Sequence, residues 1–198
     1  MLSLYHCPRT RSASILWLLE ETGAPYELNR VTIQRSDGSG ARDPGNPHPH
    51  GKTPALMHDG ALIYESTAIA LSVADLFPDA RLAPPIGDAR RGPFLSWLAY
   101  YSGVMEPAFV SKFLNYQVPR GAPGWVESDE AIAHLTGALN KAPYLLGDAF
   151  SAADIFYASM IALFMGNPLL PETPLLRAYS DRCRARPAFL RAQAIDAD

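Results

Sequence analysis

Apolar and polar positions along the chain change period about one third of the way through, and that change predicts two structural regions. Leu2 to Tyr5 is a short β-prone run, and Ile15, Leu16, Leu18 and Leu19 then recur at helical spacing within Ser12–Thr22 before Gly23. Tyr26, Leu28, Val31 and Ile33 alternate with polar residues and predict a second strand over 26–33. Pro54–His58 and Ala61–Tyr64 flank Asp59-Gly60, a strong hairpin signal. From Ser66 onward, Ile69, Ala70, Val73, Ala74 and Phe77 follow the helical period until Pro78. With one further helix in the segment before Pro54, the order becomes β-α-β-α-β-β-α.

Beyond Phe77 the pattern changes. Residues 78–88 read as a proline-rich connector, and no strand pair recurs after it. Helices are predicted over about 89–113, 126–141, 152–164 and 175–186. The organisation is therefore a domain at 1–77, a linker at 78–88 and an all-helical domain at 89–198.

The segment Asp43–Pro54 is too rich in proline and glycine for regular helix through most of its length. His48 and His50 lie in it and are expected to be solvated loop residues, not metal ligands. At Glu65-Ser66 the chain passes from strand to helix, where open backbone N–H groups and the helix dipole favour a carboxylate; a plain capping role for Ser66 is the alternative. Thr53-Pro54 opens the third strand, and a cis bond there would leave Thr53 free to pair with an extended peptide.

Composition adds exclusions. Of 198 residues, 48% are hydrophobic and 19% charged, enough apolar surface for two modest cores. A net charge of -3 supplies no field for phosphate backbones or anionic bilayers, so neither nucleic acid nor membrane is an expected partner. Cys7 and Cys183 are too isolated for a zinc site or a disulfide framework, no metal is expected, and the address is expected to be cytoplasmic.

The run from Asn46 to Ile69, containing Lys52-Thr-Pro54 and Glu65-Ser66, resembles the glutathione-binding signature of the glutathione S-transferase family, in a bacterial or fungal type. That resemblance implies a thioredoxin-like first domain, a helical second domain and a homodimer. It also implies glutathione as co-substrate, with Thr53 and Pro54 at its cysteinyl part, Glu65 and Ser66 at its γ-glutamyl end, and Lys52 near its glycyl carboxylate. The implied function is attack of the glutathione thiol on a small apolar electrophile, a detoxifying conjugation. Tyr101 and Met105, on the first helix of the second domain, are candidates for the electrophile pocket.

The thiol-activating residue stays open among Ser12, Thr10 and Tyr5, with Arg11 adding positive charge. Family members often read Ser-Arg-Ser where this chain has Thr10-Arg11-Ser12, and an ungapped count backwards from Gly23 favours Tyr5. Two alternative functions share the fold: a thiol transferase or disulfide reductase using Cys7, and a non-catalytic glutathione-binding or regulatory protein. Ser151 and Asp154 form a capping pattern at the start of the 152–164 helix and are expected to be structural.

Overall fold

The computed structural model describes residues 1–197. Strand β1 (Leu2–His6) buries Leu2, Leu4 and His6 on one face, and α1 (Ser12–Thr22) buries the apolar run Ile15–Leu19. Helix α1 ends at Gly23, whose left-handed φ of 66° suits a residue without a Cβ. Strand β2 (Tyr26–Arg30) follows, then β3 (Ala55–His58) and β4 (Ala61–Tyr64). The sheet order is β2-β1-β3-β4: β1 and β2 run parallel, and the other two pairings are antiparallel. Asp59 and Gly60 both take positive φ, 47° and 85°, as a two-residue turn matched to strand twist requires. Helix α2 (Ser66–Leu76) and a single 3-10 turn at Pro78–Ala80 complete this part.

Two local expectations are corrected within this otherwise mixed four-stranded sheet with helices. Strand β2 stops at Arg30, not Ile33, and the further helix before Pro54 does not form among the described residues. Pro44, Pro47, Pro49 and Pro54 remove the donors such a helix would need. The segment is instead tied by its own polar groups: Asn46 Nδ2 donates to the Lys52 carbonyl at 2.9 Å, and the His48 N–H donates to Asn46 Oδ1 at 3.0 Å. His48 is consequently buried, at 5% exposure, and is not a solvated residue. Its ring meets Tyr64 edge-on at 5.6 Å, and its Nδ1 accepts the His50 N–H at 3.1 Å.

The chain divides into two compact units, Met1–Arg81 with Arg186–Asp198, and Leu82–Ala185. The last helix, α8 (Pro187–Ala197), thus belongs with the sheet, although its sequence position groups it with the helical region. Complementary side chains account for this. Phe189 meets the buried Trp17 edge-on at 4.9 Å, and Arg186 grips Glu21 with two nitrogens at 2.6 and 2.8 Å. Arg191 donates to the Glu20 carboxylate at 2.7 Å and to the Glu20 backbone carbonyl at 2.8 Å. The two carboxylates of α1 therefore each hold an arginine, Arg191 within α8 and Arg186 just before it.

The second unit is helical: α3 (Arg91–Tyr100), α4 (Glu106–Phe113), α5 (Ser128–Leu139), α6 (Ala152–Phe164) and α7 (Pro174–Arg184). A wide π turn at Tyr101–Met105 joins α3 to α4 in place of the unbroken helix expected over 89–113. Pro107 has no N–H to give the Gly103 carbonyl, so the ordinary ladder cannot run through this point. Helix α6 is buried along most of its length and starts in a capping box of Ser151 and Asp154. Asp154, fully buried, accepts from the Leu145 N–H, the Tyr179 hydroxyl, and both the N–H and hydroxyl of Ser151, all at 2.8 to 3.0 Å. Burial pushes its carboxyl up, and these donors oppose the push.

Candidate functional site

The loop from Cys7 to Arg11 joins β1 to α1, and Thr10 in it and Ser12 just after it carry two hydroxyls that sequence alone cannot rank. Ser12 is the first residue of α1 and is fully buried. Its Oγ lies 2.9 Å from His6 Nδ1 and 3.1 Å from the Cys7 carbonyl, and it accepts the Cys7 N–H at 3.2 Å. Thr10 is half-buried and stands between Ser12 and the strand-start loop. Its Oγ1 lies 2.7 Å from the Cys7 carbonyl, 2.8 Å from Ser12 Oγ and 3.0 Å from Thr53 Oγ1.

Thr53-Pro54 is cis, and the sheet ladder begins only after it, at Ala55 opposite Tyr5. Glu65, exposed, has φ 70° and ψ 121°, a left-handed backbone that a non-glycine residue adopts at a cost of about 1 to 3 kcal/mol. Ser66 opens α2, and no side chain caps that helix, so the capping reading of Ser66 does not hold. The backbone N–H of Ser66, at the positive end of α2, suits an anionic ligand. Lys52 and Arg11 are exposed side chains flanking Thr53 and Ser12 in sequence. Tyr5 sits within the ladder, paired with Asn29 and Ala55, and strand alternation directs it to the opposite face of β1 from His6.

Thr10, Ser12, Thr53 and the Pro54 bend are thus joined by hydrogen bonds in one cluster, whereas Tyr5 has no hydrogen bond to that cluster among the described residues. Cys7 is buried at 6% exposure, and its Sγ accepts from an Arg35 nitrogen at 3.4 Å; Arg35 also donates to the Pro8 carbonyl at 2.9 Å. Tyr101 and Met105 are both buried in the second unit, where Tyr101 packs against Phe156 and Tyr157 at 5.2 and 5.5 Å.

Sequence reasoning passes over His6, Asp196 and Arg35. His6 carries a signal, since it shares the alternation of Leu2 and Leu4 and so falls on the buried face of β1 beside the loop. Asp196 and Arg35 carry none. Burial lowers the His6 pKa, Asp196 opposes that and Arg30 adds to it, so the imidazole is neutral at pH 7. The Asp196 carboxylate, 3.2 Å from Nε2, favours a proton on that nitrogen, although the alignment falls short of a hydrogen bond. Nδ1 is then the acceptor, and Ser12 donates its only hydroxyl proton inward.

Residues 7–76 match the sequence profile of the glutathione S-transferase N-terminal domain, and residues 119–182 match that of the C-terminal domain. Glutathione S-transferase 1 of Triticum aestivum is 26% identical over 208 residues, covering 94% of this chain and 90% of its own. The bacterial beta class glutathione S-transferase of Sphingomonas chungbukensis is 30% identical with a TM-score of 0.74, covering 98% of both chains. A sphingomonad glutathione S-transferase, solved as a complex with glutathione, is 29% identical with a TM-score of 0.78 and the same coverage. The chain belongs to the glutathione S-transferase family and by that membership is a glutathione transferase, with a thioredoxin-like sheet domain and a helical C-terminal part. Among the described residues no helix is long and apolar enough to cross a membrane.

Proposed function

We propose that this transferase binds glutathione along the Thr53-Pro54 bend and activates its thiol with the Thr10 hydroxyl for attack on a small apolar electrophile. The observation that carries the reading is the contrast between two neighbouring hydroxyls. Ser12 is fully buried and its hydroxyl is engaged by His6 Nδ1 and the Cys7 carbonyl, while Thr10 is partly exposed and sits 3.0 Å from Thr53. A hydroxyl must meet the thiol to stabilise it, and only Thr10 combines access with proximity to the docking segment.

The peptide of glutathione extends the sheet edge at Thr53, and its γ-glutamyl carboxylate takes the open N–H groups and hydroxyl of Ser66 beside Glu65. Lys52 and Arg11 supply positive charge for the glycyl carboxylate and the thiolate. A free thiol ionises near pH 8.5, so one charge-assisted hydrogen bond from Thr10, aided by the positive end of α1, raises the thiolate fraction usefully at neutral pH. The thiolate then forms the new carbon–sulfur bond directly, with no covalent enzyme intermediate and the displaced group leaving with its electron pair. The segment around Tyr101 and Met105 is assigned to the electrophile's apolar side. The protein acts as a homodimer in this reading, which light scattering would check.

The test is retention on immobilised glutathione and conjugation of an activated aryl halide by wild type, Thr10→Val, Ser12→Ala, Tyr5→Phe and Cys7→Ser. Thr10→Val should lose about a hundredfold in kcat, the typical effect of removing one donor to a developing or full anion. Tyr5→Phe and Cys7→Ser should stay near wild type. Loss confined to Cys7→Ser would instead establish thiol transfer, and retention without conjugation would establish a binding protein.

A further inference from the structure

The carboxylate of Asp196, in the last turn of α8, meets the thiol-activating loop twice. It accepts the Arg9 N–H, at 3.2 Å to Oδ1 and 3.3 Å to Oδ2. Arg9 has a left-handed φ of 59°, a conformation that costs a non-glycine residue free energy and needs support from its surroundings. The same carboxylate lies 3.2 Å from Nε2 of the buried His6. His6 Nδ1 continues to Ser12 Oγ at 2.9 Å, and Ser12 Oγ to Thr10 Oγ1 at 2.8 Å.

We propose that Asp196 is a positioning residue for Thr10, acting through His6 and Ser12 on one side and through the Arg9 amide on the other. This rests on the assignment of Thr10 as the thiol-activating hydroxyl. With a carboxylate at Nε2, His6 keeps its proton there and presents a lone pair at Nδ1. Ser12 spends its one proton on that lone pair, so its oxygen is an acceptor for the Cys7 N–H and does not donate to Thr10. Thr10 retains its own proton, and a bound thiolate, as a charged acceptor, draws it away from the neutral Cys7 carbonyl. Without the carboxylate, His6 is free to place its proton on Nδ1, Ser12 turns its own proton elsewhere, and the Arg9 amide loses its acceptor. The charged groups facing His6 are Asp196 from α8 and Arg30 from β2. Helix α8 itself is fixed through Arg186, Phe189 and Arg191, so changes at Asp196 leave its docking intact.

The full chain should be compared as wild type, Asp196→Ala, Asp196→Asn and Asp196→Glu, reading kcat, KM for glutathione, and the ultraviolet absorbance of bound thiolate against pH. Asp196→Ala should lower kcat about tenfold, within the range that slight misplacement of a reacting group produces. KM for glutathione should stay within about twofold, because the docking segment is untouched. The thiolate titration should move to higher pH in Asp196→Ala and less so in Asp196→Asn, which keeps an oxygen for Arg9, and Asp196→Glu should recover part of the rate. If all three variants keep the wild-type kcat and titration, or if KM alone rises, the positioning role is overturned while the proposed function stands. A wild type with neither bound thiolate nor conjugation overturns both.

Discussion

Asp154 and Ser12 are both polar side chains with no exposed surface, each at the start of a helix, yet they are built in opposite ways. Around Asp154, donors converge on one acceptor, and every proton has a single destination. Around Ser12, Thr10 and Thr53, three hydroxyl protons face a larger set of oxygens and one imidazole nitrogen within 3.1 Å. The first arrangement fixes a fold. The second leaves one proton, that of Thr10, free to follow a stronger acceptor when one arrives, which is what thiol activation needs. In the proposed function the saturated cluster is structural, and the undersupplied one beside Thr53 is the one that acts.

The sharpest way to break this comparison is at Asp154. Asp154→Ala should destabilise the protein by about 3 kcal/mol, since it strands the Tyr179 hydroxyl and buried amides without an acceptor. Urea unfolding would measure it. Ser12→Ala should cost about 1 to 2 kcal/mol by orphaning the Cys7 N–H and His6 Nδ1. Thr10→Val should cost at most about 0.5 kcal/mol of stability, because its partners keep alternatives and the site is partly exposed. Equal destabilisation by the last two would erase the distinction between a structural and a functional hydroxyl.

A smaller effect concerns acid. His6 has a folded pKa below its unfolded value of about 6.5, so the unfolded chain takes up the proton first. Its contribution to stability is complete above that value and is lost as pH falls toward the folded pKa. Thermal unfolding between pH 7 and 5 should therefore show a loss in wild type that is reduced in His6→Gln. Asp196→Asn removes the charge that opposes the shift and should steepen the loss, leaving burial and Arg30 unopposed.

What the sequence revealed follows from the range of the interactions. The Asp59-Gly60 hairpin and the Ser151–Asp154 box are set by neighbouring residues and are legible without tertiary information, whereas the cis isomer at Thr53-Pro54 and the positive φ of Glu65 are not. The return of α8 to α1 depends on Arg186, Phe189 and Arg191 finding Glu21, Trp17 and Glu20 from the far end of the chain, which no local period encodes. The proposed choice between Thr10 and Ser12 is equally illegible, since its grounds are a buried histidine and Asp196 beside it. The π turn before Pro107 and the burial of His48 belong to the same class, in which packing decides what composition leaves open.

Whether Thr10 or Ser12 meets the thiol is read in the pH titration of bound glutathione thiolate in Thr10→Val beside Ser12→Ala. Thr10→Val should move the titration toward the free-thiol value of about 8.5, while Ser12→Ala, still carrying Thr10, should move it less. A titration unchanged in Thr10→Val and displaced in Ser12→Ala would contradict the assignment of Thr10.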